Sequence, residues 1–160
     1  MSKPLYRVML PPEILARGFW LYAWVIKLKD GRVVHYVGRT GDSSSANAQS
    51  PVSRISGHLG PNEHANALQR HLRSHGINFA DCEALEFIAH GPLEEEVEDW
   101  DDHRSRRDRT HALERDLCSG LKSAGYDVMN DVTCRLPTDR EAWKSVCAAF
   151  KERFDRLGTK

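Results

Sequence analysis

Phe19-Trp20-Leu21-Tyr22-Ala23-Trp24-Val25-Ile26 is dense in aromatic and β-branched residues, the composition of a strand. Lys29-Asp30-Gly31-Arg32 follows and carries an Asp-Gly turn signal. Val33-Val34-His35-Tyr36-Val37-Gly38 then returns as a second strand, so residues 19–38 form a β-hairpin. Downstream, Ser50-Pro51 opens a short helix over about 51–59, with Ser as cap and Pro at the first helical position, and Gly60-Pro61 stops it. A second helix is expected over about 63–75, with Ala67, Leu68, His71 and Leu72 on one stripe and Gly76 at its end. Residues 82–89 read as a third strand. Leu113, Leu117 and Leu121 are spaced by four and predict a helix over 110–123. Residues 126–132 return as an extended segment. Thr138-Asp139-Arg140-Glu141 has the form of a capping box for a last helix over 139–156, with Trp143, Val146, Cys147, Phe150 and Phe154 on its apolar face. This order predicts an α+β fold, a small antiparallel three-stranded sheet flanked by helices. Residues 1–18 read as an extension with one helical turn begun by Pro11-Pro12, and 133–160 as a helical extension packed on the domain.

The chain has 160 residues, enough for one domain. Its 23 basic side chains balance 23 acidic ones, which excludes a highly basic nucleic-acid packager but leaves room for a local basic face. No apolar run reaches the roughly 20 residues of a membrane helix, and residues 1–12 lack the apolar stretch of a secretory signal. Cys82, Cys118, Cys134 and Cys147 contain no C-x-x-C pair, so they read as reduced, mostly buried thiols rather than a zinc site or a disulfide scaffold. The expected location is cytoplasmic. Seven acids between 94 and 102, followed by Arg104, Arg106, Arg107 and Arg109, read as a solvated, self-paired surface segment.

Several polar residues sit awkwardly for a purely structural role. Tyr22 and Tyr36 lie on facing strands, Arg54 and His58 are four apart on one helix, Glu114 adjoins a leucine stripe, and Asn130 lies in the extended segment after it. Leu21-Tyr22 and Tyr36-Val37-Gly38, in this order before Arg54-x-x-x-His58, Glu114 and Asn130, resemble the signature of the GIY-YIG nuclease superfamily. The resemblance covers about residues 19–132. Trp20-Leu21-Tyr22 stands where the family has Gly-Ile-Tyr, the loop 41–50 is long, and 94–109 reads as an insertion before the Glu114 helix. Asn130 is preferred to Asp127 for the family's Asn because it retains the amide, and His64 lies near an extra His of some members.

The resemblance implies a Mg²⁺-dependent endonuclease acting on DNA, with Mn²⁺ as a substitute and no small-molecule cofactor. Glu114 would hold the metal, which needs few protein carboxylates. Arg54 would bind the scissile phosphate. Tyr22 or His58 would take the water's proton, and the sequence leaves that choice open. Tyr36 would bond the water or the phosphate, and Asn130 would orient the site. Arg39, Arg70 and Arg73 are candidates for contacts to DNA. Residues 52–76 carry Arg54, Arg70, Arg73 and four His against the single acid Glu63, a modest basic face that implies weak, salt-sensitive binding. A non-catalytic binding or interaction module on the same fold is the alternative, and an RNA nuclease is another. Convergence of Tyr22, Arg54, His58 and Glu114 in one place separates the first alternative from the nuclease.

Overall fold

A computed structural model describes residues 1–62 and 66–158. The fold is α+β, with a three-stranded antiparallel sheet of order β2-β1-β3. Strand β1 spans Gly18–Leu28, β2 Val33–Arg39 and β3 Cys82–Glu95. Helix α1 spans Pro51–Leu59, α2 Ala67–Ser74, α3 Trp100–Ser123 and α4 Arg140–Lys151. The short turn expected near Pro11-Pro12 is a single 3₁₀ turn, Pro12–Leu15.

Strand β1 is the middle strand, and Lys27 is its one exposed residue. Burial on both faces explains why it reads as an unbroken apolar run instead of an alternating one. Leu21, Ala23 and Val25 face a core layer built with Leu113, Leu117 and Leu121 of α3 and Val146 and Phe150 of α4. Tyr22, Trp24, Ile26 and Leu28 face the opposite layer, with Leu68 and Leu72 of α2 and with Ile77. The expected stripes on α2, α3 and α4 therefore bury as their spacing requires. Each fully buried Leu or Phe on them contributes about 1.5–3 kcal/mol. Phe154, expected on the last helix, lies just past its end, where its amide donates to the Phe150 carbonyl at 2.8 Å and its ring is fully buried.

Four expectations need correction. Helix α3 starts ten residues earlier than its leucine spacing indicates. Asp99 caps it, accepting from the Asp102 amide at 3.0 Å, and Asp101 and Asp102 occupy its first turn. Within the acid run, Asp99, Asp101 and Asp102 thus form a helix start, where negative charge meets the positive end of the helix dipole, while Glu94 and Glu95 close β3. The run's self-pairing does hold in part, as Arg109 pairs with Glu94. Strand β3 runs six residues past the expected end at 89. An irregularity sets Phe19 opposite Glu94 but Leu21 opposite His90, so the strand bulges and continues. The cap of α4 is Asp139, which accepts from the amides of Glu141 and Ala142, whereas the Thr138 hydroxyl donates to Asp116. Helix α2 begins at Ala67 with Asn66 as its cap, accepting from the Gln69 amide at 3.1 Å.

His64 and Glu63 lie outside the described residues. All four cysteines are unpaired, but only Cys118 is buried and the other three are partly exposed. No described helix is long and apolar enough to cross a membrane.

Candidate active site

The hairpin register creates the site. Tyr22 pairs with Gly38 and Trp24 with Tyr36, so Tyr22, Trp24 and Tyr36 all point to the α1/α2 side of the sheet. Gly38 is required by close approach. A Cβ there would lie 2.4 Å from Tyr22 Cζ and Oη, so the Tyr22 ring lies across a space that only glycine leaves open. The Tyr22 ring also stacks on Phe87 of β3, with centroids 5.1 Å apart.

Helix α1 brings His58 into this layer. The Ser50 hydroxyl caps it, accepting from Ser53, and Pro51 opens it. Asn66 donates to the Gly57 carbonyl, and Gln69 donates to the His58 carbonyl at 3.0 Å, so α2 clamps the end of α1. His58 is 6% exposed. Its Nε2 lies 3.4 Å from Tyr22 Oη, and its Nδ1 accepts from Trp24 Nε1 at 2.9 Å. The Tyr36 ring stands edge-on to His58, with centroids 5.5 Å apart. Burial, aided by the Arg54 charge, lowers the His58 pKa to about 4. His58 is therefore neutral at physiological pH.

Burial raises both tyrosines, Tyr22 well above its ordinary value and Tyr36 to about 12. The proximity of Tyr36 adds to the rise at Tyr22, while Arg54 opposes it at both. Glu114 also raises both hydroxyls, so its carboxylate lies within electrostatic reach of the pair. Burial raises Glu114 itself to about 7, against the pull of Arg39. Arg39 Nε donates to Glu114 Oε2 at 2.8 Å, and both side chains are nearly covered, at 12% and 13% exposure. Arg54 pairs with Asp42, a residue of the long loop after β2. Two guanidinium nitrogens, Arg39 Nη1 and Arg54 Nε, are buried and have no hydrogen-bond partner among the described residues.

Tyr22, Tyr36, Arg54, His58 and Glu114 thus come together from β1, β2, α1 and α3. Asn130 belongs to the scaffold that holds them. Its Oδ1 accepts from the Val37 amide at 3.0 Å, and its Nδ2 donates to the Val37 carbonyl at 2.8 Å. The backbone on either side continues this pairing, since His35 N donates to Asp127 O and Met129 N to His35 O, each at 2.8 Å. Asp127 acts through its backbone. Residues 127–130 accordingly cover the outer edge of β2 and fix Tyr36 within it. Of the three arginines expected to contact DNA, Arg39 is engaged by Glu114, and Arg70 acts electrostatically on Tyr36 from the rim. Arg73 lines a shallow pocket with Leu72, Ile77 and Phe79, none of which belongs to the site.

Two members of the cluster escape a reading of the sequence alone. Trp24 sits in the unbroken apolar run of β1 and reads there as a core residue. Asp42 lies in a polar loop whose path the sequence does not specify.

Among the described residues, no three or more His, Cys, Asp or Glu side chains are grouped to hold a metal ion. A hard-oxygen donor such as Glu114 nevertheless suits Mg²⁺, which takes one or two carboxylates and completes its shell with water and phosphate oxygens. Comparisons with protein-family models, with curated proteins and with solved structures found no match.

Proposed function

We propose that the protein is a metal-dependent endonuclease that hydrolyses phosphodiester bonds in DNA, acting in the cytoplasm. The supporting observation is the pair of buried, unpartnered guanidinium nitrogens of Arg39 and Arg54 beside two tyrosines, a neutral histidine and a carboxylate. Buried donors without acceptors are costly, and a phosphate offers the acceptors they lack. Planar guanidinium donors suit phosphate oxygens.

Glu114 would hold Mg²⁺. When bound, that ion supplies Lewis-acid polarisation of the phosphate and a lowered pKa for a bound water. Arg54 binds the phosphate after exchanging Asp42 for it, a swap of one anionic partner for another. Tyr22 is held protonated by its burial, and it orients the attacking water through its hydroxyl. His58 is not the proton acceptor, because Nδ1 is occupied by Trp24 and Nε2 faces Tyr22, so the water's proton would leave to bulk solvent once its pKa is lowered. Tyr36 completes the polar wall against the phosphate, and Arg70 adds positive potential at the rim.

The discriminating experiment presents matched DNA and RNA duplexes, and single-stranded DNA, to the purified protein with Mg²⁺ or Mn²⁺ at rising salt. Cutting of DNA that weakens steeply with salt is expected. Cutting of RNA with DNA spared would reassign the substrate. Binding without cutting of any substrate would favour the non-catalytic module.

A further inference from the structure

Trp24 makes a contact that packing alone does not require. An indole N–H can only donate. Its 2.9 Å bond to His58 Nδ1 therefore needs that nitrogen to be bare. A neutral imidazole has one N–H, so the proton sits on Nε2. Nε2 is the atom that faces Tyr22 Oη at 3.4 Å. With this tautomer His58 donates to the tyrosine oxygen, and the tyrosine's own proton must point elsewhere. With the other tautomer two donors would confront each other at Nδ1, and Nε2 would compete for the tyrosine's proton.

The rest of the surroundings leave this assignment in place. Trp24 and Tyr22 are two residues apart on β1 and share a face, so both reach the same ring from one rigid strand. Phe87 packs against both, at 4.8 Å from Trp24 and 5.1 Å from Tyr22 between ring centroids. Trp24 is 2% exposed. The charged groups that act on His58 are Arg54 and Asp42, which pair with each other.

We propose that Trp24 is a positioning residue that locks His58 as its Nε2–H tautomer, so that His58 donates to Tyr22 and aims the tyrosine hydroxyl at the reacting water. The structural half of this inference stands alone, whereas its catalytic half rests on the nuclease reading above.

The test uses the full chain with ¹⁵N-labelled histidine and long-range ¹H–¹⁵N correlation at pH 7 and 8, with His58 assigned by loss of its signals in His58→Gln. The wild type is expected to show a bare Nδ1 and a protonated Nε2. Trp24→Phe keeps an aromatic ring but has no donor, and it is expected to shift His58 toward a tautomer mixture. A protonated Nδ1 in the wild type would overturn the inference, and that measurement does not depend on Trp24→Phe folding. An unchanged tautomer in a folded Trp24→Phe would overturn it as well.

For catalysis, Trp24→Phe is expected to lower kcat about tenfold, the size of one lost hydrogen bond, with KM little changed. Adding Trp24→Phe to Tyr22→Phe is expected to cost nothing further, because the effect runs through the tyrosine hydroxyl. Additive losses would overturn the catalytic half. If the wild type cuts no substrate, the nuclease reading fails, and the ¹⁵N result still decides the tautomer.

Discussion

Asn130→Ala is expected to destabilise the protein by about 2–4 kcal/mol, read as a lowered midpoint in urea unfolding at unchanged m. The side chain replaces a missing neighbouring strand. It meets the Val37 amide and carbonyl at 3.0 and 2.8 Å, on the edge of β2 that faces away from β1. Asn130 is 5% exposed and Val37 fully buried, so water cannot freely replace the lost partners. Each group left unsatisfied costs about 1–3 kcal/mol. Asn130→Asp is expected to do no better, because it removes the donor to the Val37 carbonyl and sets a carboxylate against that oxygen. A loss below about 1 kcal/mol in both variants would contradict this role. Any activity lost in Asn130→Ala is expected to track the folded fraction together with displacement of Tyr36.

Tyr22→Phe is expected to separate function from stability in the opposite sense. Its hydroxyl makes one long contact, 3.4 Å to His58, while its ring fills the space across Gly38 and against Phe87. Phenylalanine keeps the ring, so unfolding free energy should fall by no more than about 1 kcal/mol. The rate of strand cutting should fall by roughly 10²–10³, the range for loss of one preorganised hydrogen-bonding group in an active site. Single-turnover cleavage under saturating protein measures this directly. Near-wild-type cutting by Tyr22→Phe would remove the tyrosine from the chemistry and leave it as a packed core residue.

The sheet and its helices were legible in the sequence because their signals are local. The Asp-Gly turn, the Ser50-Pro51 start and the leucine spacing of α3 each depend on a few neighbouring residues and on burial of one face. What was not legible depends on meetings between distant segments. The acid run 94–102 lies at the surface, as its composition indicates, but that it closes β3 and starts a helix whose His103 and Thr110 are buried shows only in the tertiary fold. Thr138 looked like a cap by spacing, but Asp116 and Arg115 engage its hydroxyl and Asp139 takes over. The same division holds at the site. Tyr22, Tyr36, Arg54, His58 and Glu114 stood out as a pattern of residue types. Arg39, read as a contact for DNA, also pairs through Nε with Glu114, because the end of β2 abuts α3, and its Nη1 is left without a partner among the described residues. The Trp24 bond to His58 and the Asp42 partner of Arg54 follow from geometry that spacing does not encode.

Nuclease activity is the central claim, and supercoiled-plasmid nicking tests it most directly. The assay compares the purified wild type with Glu114→Ala, each in Mg²⁺ and each in EDTA. Nicking by the wild type in Mg²⁺, with none in EDTA and none by Glu114→Ala in either condition, is the predicted result. Equal nicking by both proteins, or none by a folded wild type in Mg²⁺ or Mn²⁺, would contradict the account.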